Sequence, residues 1–373
     1  MSTRREFLER TGWAAAAMLL PTAAAAANQR VLVDWHSHYV SDAEIRFLAA
    51  RSRAPRLLRA ADGSTLLENV DTASAAAGTP GAFSRSDLAA RIRQLDDNGI
   101  ERQLLTHTVA MGFDASIPVE ELRPLYRAFN DELATVIAQH PKRFLAVAAL
   151  PAGDPAWAAN ELRRAHRELN FIGGSLPLNA FASLRSAQTL APLFAEAKKQ
   201  GSHFFIHRAS ASSLLPDQPP VVIPEDTGYA RWPLISNSHL AAGGITLGLT
   251  DFLDPYPDVS VEIVMLAGFT PYLLDTWVDA GRSNGIKDPL ARLRRLYLDT
   301  GPYATRAGEW VALAASKIGA DRILFGTDFG VGGGDRGAIA PALARLDAVL
   351  TTQQRQLIYI DNTRKLLASK GRT

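Results

Sequence analysis

The chain has 373 residues, a net charge of +2 with the basic residues dispersed along it, and no cysteine. Disulfides, cysteine nucleophiles and thiolate metal sites are excluded, and no basic stripe marks a nucleic-acid partner. Any bound metal must sit on nitrogen and oxygen ligands.

The first segment carries Arg4-Arg5 followed by Phe7-Leu8, then an apolar, Ala-rich run from Trp13 to Ala27. That run falls short of the roughly 20 residues a membrane helix needs, and its small-residue tail Ala23 to Ala27 suits signal cleavage. Residues 1–27 are therefore expected to be a twin-arginine export signal of the Tat type. It would deliver an already folded protein to the periplasm and leave no stable membrane span after cleavage. Residues 28–373 would form the domain.

Strands are predicted at Val31 to His36, Arg102 to His107, Phe144 to Leu150, Ile172 to Leu176, His203 to His207, Val259 to Met265, Arg295 to Asp299, and Arg322 to Asp328. Amphipathic helices are predicted between most of them, at Ser86 to Asp97, Pro118 to His140, Pro155 to Leu169, Ser183 to Lys199, Leu234 to Leu253 and Ala304 to Ile318. This alternation predicts an α/β fold, a single (β/α)8 TIM barrel. An open doubly wound sheet is disfavoured, because no Gly-x-Gly-x-x-Gly follows the first strand. The stretch from His38 to Ser86 breaks the rhythm and reads as a long insertion after strand one, a lid or small subdomain.

Polar residues gather at the predicted carboxyl ends of strands, where barrels place their chemistry. Asp34-Trp35-His36-Ser37-His38 closes strand one, and the period of two along a strand turns both histidines to one face. His107 closes strand two, His207 closes strand five, and Asp328 closes strand eight in Phe325-Gly326-Thr327-Asp328-Phe329. A single histidine after an apolar strand is usually a core residue, and a lone Thr-Asp is often a helix cap. Four nitrogen and oxygen donors at one barrel mouth instead suit a divalent ion such as Zn2+ or Mn2+.

Asp-x-His-x-His, Phe-Ile-His and Phe-Gly-Thr-Asp-Phe, in this order, resemble the amidohydrolase superfamily. The similarity is to its amidohydrolase-2 branch of aminocarboxymuconate semialdehyde decarboxylase-like enzymes. Asp97-Asn98-Gly99-Ile100, His140-Pro141-Lys142-Arg143-Phe144, Tyr297-Leu298-Asp299-Thr300 and Asp361-Asn362 add to the match. The resemblance implies His36, His38, His207 and Asp328 as metal ligands, with Zn2+ the first expectation and Mn2+ the second. One coordination position would stay open for water or substrate.

The chain departs from the family after strand six, where a His-x-Gly-Gly motif is usual. Here the sequence reads Val264-Met265-Leu266-Ala267-Gly268, so Met265 stands where the family's catalytic histidine would be. A thioether cannot shuttle protons near neutral pH. His107 is the candidate replacement acid or base, against a packing role beneath the long insertion; Asp328 is the candidate base for metal-activated water. Arg208 could grip a substrate carboxylate with its guanidinium fork, or salt-bridge a neighbouring loop. Three expectations follow. The first is an exported metal-dependent hydrolase of a lactone, ester or amide of a small carboxylated or aromatic compound. The second is a metal-dependent non-oxidative decarboxylase of a small aromatic or unsaturated acid. The third is a metal-binding relative without turnover. The expected partners are a small-molecule substrate and at most a second copy in a homodimer, with no nucleic acid.

Overall fold

Short buried runs alternate with amphipathic segments, and the chain closes them around one axis. The computed structural model describes residues 31–69, 81–220, 227–330 and 339–371; the export segment expected at residues 1–27 lies outside them. Strand β1 (Val31–Asp34) leads into the insertion, which holds a three-stranded antiparallel sheet of β2 (Arg56–Arg59), β3 (Thr65–Glu68) and β4 (Gly81–Ala82). Seven strands follow: β5 (Ile100–Leu105), β6 (Phe144–Ala149), β7 (Gly173–Pro177), β8 (His203–His207), β9 (Ser260–Ile263), β10 (Tyr297–Asp299) and β11 (Ile323–Leu324). β1 and β5 to β11 pair in parallel, each with its neighbour in chain order. Backbone bonds from Trp35 N to Phe325 O (2.9 Å), Asp328 N to His36 O (2.9 Å) and His38 N to Phe329 O (2.7 Å) join the last strand to the first. The expected (β/α)8 barrel is the fold.

Parallel strands covered on both faces read as continuous apolar runs, and β6, Phe-Leu-Ala-Val-Ala-Ala, is buried at every residue. Between β8 and its covering helices, Phe194 packs on Phe204 (4.7 Å between centroids) and Phe252 (4.8 Å). Each such ring, fully buried, contributes on the order of 1.5–3 kcal/mol.

Three predicted helices differ from the observed ones by more than two residues at an end, and the strand expected over Arg322 to Asp328 is only Ile323–Leu324. The helix expected over Ser183 to Lys199 is two, Leu184–Thr189 and Ala191–Gln200, because Pro192 occupies the first turn of a new helix. The helix expected over Leu234 to Leu253 is Gly228–Leu249. The Ala304 to Ile318 helix breaks at Ala307, whose φ of −153° is extended. The insertion is the small subdomain alternative: besides its sheet it contains helix Asp42–Ala49, started by a reciprocal Ser41–Glu44 capping box. Among the described residues, no helix is long and apolar enough to cross a membrane.

Candidate metal centre

The segment after β1 is anchored from three sides before it presents its histidines. Asp34, fully buried, accepts from Thr327 N (3.0 Å), Thr327 Oγ1 (2.7 Å) and Gln103 Nε2 (2.7 Å). Burial still pushes its carboxyl up to about 6, against these bonds. Asp34 therefore clamps the end of β11 to β1, and so sets Asp328 against His36. The buried Arg91 guanidinium donates to His38 O (2.6 Å) and Gln103 Oε1 (2.7 Å). Gly326 permits the close approach: a Cβ there would lie 2.6 Å from His36 Cβ and 3.3 Å from Asp299 Cβ.

His36, His38, His207 and Asp328 converge, with one donor atom from each lying within 4.8 Å of the others. Asp328 Oδ1 is 3.1 Å from His36 Nε2, 3.1 Å from His38 Nε2 and 3.9 Å from His207 Nε2. Ligand bonds of about 2.0–2.1 Å in a tetrahedral shell give donor separations of roughly 3.3 Å, so the spacing suits one ion. The partners of the opposite ring nitrogens fix the tautomers. His38 Nδ1 donates to His107 O (3.1 Å), His207 Nδ1 to Arg208 O (2.9 Å) and His36 Nδ1 to Asp299 Oδ1 (3.1 Å). Carbonyl and carboxylate oxygens only accept, so all three Nε2 atoms present bare lone pairs. The Nε2 atoms of His36 and His207 are buried with no hydrogen-bond partner. Three lone pairs and a carboxylate then face one another without a donor, an arrangement that a cation resolves.

Burial opposes charging His36, yet without an ion the Asp299 and Asp328 carboxylates raise it well above the usual imidazole range, so a proton competes with the metal for its Nε2. Burial holds His207 at about 3, neutral as a ligand must be. Burial also works against the Asp328 carboxylate, but His36 and the histidine contacts keep it well below its ordinary value. Asp328 has a left-handed φ of 60°, as do Met265 (56°), Leu266 (56°) and Ala267 (50°) beside it. Non-glycine residues in this region cost of order 1–3 kcal/mol each, and such strain concentrates at functional sites.

Asp328 opens into a cavity of about 770 Å³ lined by Arg208, Trp232, Ser236, Met265, Tyr303, Arg306 and Trp310, among others. Arg208 lines this cavity, its guanidinium 4.6 Å from the Trp232 ring. Trp232, Ser236, Tyr303, Arg306 and Trp310 were not legible as site residues. They come from helices after β8 and β10, remote from the strand-end motifs.

His107 does not take the position expected of a replacement acid or base. It is buried and absent from the cavity wall, with Nδ1 3.0 Å from Ser175 Oγ and Nε2 3.2 Å from Tyr126 Oη. Its contribution to the site is its carbonyl, which orients His38. Burial and the nearby His38 hold its imidazole down at about 3. Such a depressed pKa adds stability that is complete above about 6.5 and is lost as pH falls toward 3. His107→Gln should therefore weaken this acid-side loss in thermal unfolding. It should leave the shape of the activity profile between pH 5 and 8 unchanged; a profile that loses a limb would return His107 to the chemistry.

The sequence model of the amidohydrolase family matches residues 33–368. The chain is 28% identical over 258 residues to gamma-resorcylate decarboxylase of Rhizobium radiobacter, covering 64% of this chain and 75% of the relative. It is 26% identical over 305 residues to decarboxylase orsB of Emericella nidulans, covering 78% and 88%. Among solved structures it superposes on a dihydroxybenzoic acid decarboxylase from Polaromonas sp., with bound manganese and the inhibitor 2-nitroresorcinol. That match has a TM-score of 0.64 and 20% identity, over 90% of this chain and 96% of the other.

Proposed function

The chain belongs to the amidohydrolase family of metal-dependent enzymes, and on that premise we propose that it decarboxylates a hydroxylated aromatic acid. The observation that carries this reading is the cavity over Asp328. Trp232, Tyr303 and Trp310 offer ring faces and edges to an aromatic substrate, and Arg208 and Arg306 offer charge to its anionic groups. The named relatives support it as well, reversing the sequence expectation that ranked hydrolysis before decarboxylation.

A divalent ion would be held by His36, His38, His207 and Asp328. Manganese finds support in the Polaromonas neighbour, while three imidazoles and a carboxylate suit zinc equally. When bound, the ion supplies Lewis-acid attraction for carboxylate or phenolate oxygen.

The chain's own residues carry the rest. Asp328, held as a carboxylate, accepts the proton of a phenol ortho to the substrate carboxylate. It returns that proton to the ring carbon bearing the carboxylate, as the phenoxide electrons move into the ring. The carbon–carbon bond then breaks, carbon dioxide leaves, and its electron pair restores the aromatic ring; solvent reprotonates the phenoxide. One proton is consumed overall, and no second protein acid is needed. That accommodates Met265, which lines the same cavity. Export through residues 1–27 belongs to this proposal on the support of Arg4-Arg5 and the apolar run behind them.

The Mn2+-loaded protein should release carbon dioxide from one or more hydroxybenzoic acids in a panel that also holds lactones, esters and amides. Turnover confined to the hydrolysable compounds, with no carbon dioxide, would overturn the proposal. Arg208→Ala should raise KM for the productive acid about 10- to 100-fold with a smaller change in kcat, as expected for loss of roughly 1.5–3 kcal/mol of charge-assisted bonding. An unchanged KM would take Arg208 out of substrate binding.

A further inference from the structure

Beneath the metal centre the barrel axis holds a second row of ionisable groups that the proposed reaction does not use. His203 and Glu262, on neighbouring strands β8 and β9, are fully buried, as is Asp299 at the end of β10. His203 Nδ1 is 3.0 Å from Ser260 Oγ, and its Nε2 is 2.9 Å from Glu262 Oε2. The Glu262 carboxyl lies within hydrogen-bonding reach of the Asp299 side chain. Asp299 Oδ1 accepts from His36 Nδ1 at 3.1 Å and from Met265 N at 3.0 Å. With Glu262 ionised, two buried oxygens, Glu262 Oε1 and Asp299 Oδ2, make no hydrogen bond, although His36 Nδ1, bonded to Oδ1, also lies 3.0 Å from Oδ2.

One proton satisfies both. Placed on Glu262 Oε1, it donates to Asp299 Oδ2 and leaves Oε2 to accept from His203 Nε2–H. His203 Nδ1 is then free to accept from the Ser260 hydroxyl. Every buried polar atom in the row is paired, and the donors all run one way, from Ser260 through His203 and Glu262 to Asp299. An ionised Glu262 would instead set a second buried carboxylate against Asp299, with Asp34 nearby and the His36 and His203 imidazoles facing it.

We infer that Glu262 is a permanently protonated positioning residue which, oriented by His203, hydrogen-bonds Asp299 and so sets how firmly His36 holds the metal. Asp299 then receives three donors, from Glu262, His36 and Met265, and keeps His36 in the Nδ1–H form with Nε2 turned to the ion. Partners behind a ligating histidine typically change metal affinity 10- to 100-fold when removed. Burial, and then the Asp299 charge, push Glu262 well above the usual carboxylate range, and burial holds His203 down at about 3, in accord with two neutral groups.

The test uses the full chain loaded with Mn2+ and challenged with a competing chelator, alongside infrared spectra near neutral pH. Glu262→Gln keeps one donor and one acceptor in the same places. It should hold Mn2+ within a few-fold of the wild type while removing a protonated-carboxyl C=O band from the spectrum. Glu262→Ala should lose Mn2+ at roughly 10- to 100-fold lower chelator concentration. Glu262→Gln releasing metal as readily as Glu262→Ala, or a wild-type spectrum without a band that Glu262→Gln removes, would overturn the inference. The Gln variant and the spectrum decide the matter even where the Ala variant fails to fold. Neither readout depends on which reaction the enzyme performs.

Discussion

Asp328→Asn should lower kcat for decarboxylation by roughly 100- to 10,000-fold, the range for loss of a positioned proton-transfer group. The amide keeps the shape of the carboxyl and can still offer an oxygen toward the cluster, but it cannot take a phenolic proton and return it to carbon. Because Asp328 also faces His36 and His38 at 3.1 Å, the variant will bind the ion more weakly. Turnover must therefore be compared at saturating Mn2+, with metal content measured on the same samples. A kcat near wild type at full occupancy would remove Asp328 from the proton path.

Metal removal should be the other large effect, because the site is unfavourable when empty. Chelation is expected to bring turnover to background, and re-addition of Mn2+ to restore it. The ion binds the folded chain, so at a free concentration 1,000 times its Kd it stabilises by about 4.1 kcal/mol. At about 1.3 °C per kcal/mol for a chain of this size, Tm should rise on the order of 5 °C on loading. Full activity and an unchanged Tm in rigorously metal-free protein would mean that the cluster is structural. His38 and His207 are each locked by a backbone carbonyl in the tautomer that binds metal, so little rearrangement should accompany loading.

Much of the barrel could be read along the chain because each strand leaves a local mark. An apolar run such as Phe144 to Ala149 is too short for a helix and is bounded by helical patterns. The strand-end donors were legible for a related reason: on a barrel, a polar residue just after a buried run can only stand at the mouth. His36, His38, His207 and Asp328 all obey that rule. His107 obeys it too, yet its ring turns away to Ser175 and Tyr126. Strand position fixes where a Cα lies, but packing decides where a ring points.

The cavity wall was hidden because its residues carry no periodic signal of their own. Trp232 and Ser236 sit on a helix, Gly228–Leu249, that reads as an apolar covering segment, and Tyr303, Arg306 and Trp310 lie where a predicted helix is broken at Ala307. Glu262 did leave a trace, as a lone acid inside the apolar strand Ser260–Ile263, and His203 shares side-chain parity with His207. Their pairing depends on the register of β8 and β9, which composition does not specify. The order of the two chemistries was misjudged for a different reason. The absence of a histidine at Met265 argued for hydrolysis only if decarboxylation needs a second protein acid, and a substrate phenol can supply that proton.

Turnover of a productive hydroxybenzoic acid by the Mn2+-loaded enzyme in D2O follows the proton from Asp328 to carbon. The phenolic proton exchanges with solvent, so the route through Asp328 predicts one deuteron in each product molecule, at the ring carbon that carried the carboxylate, and one carbon dioxide released per deuteron incorporated. Product formed without carbon dioxide, or without deuterium at that carbon, would contradict it.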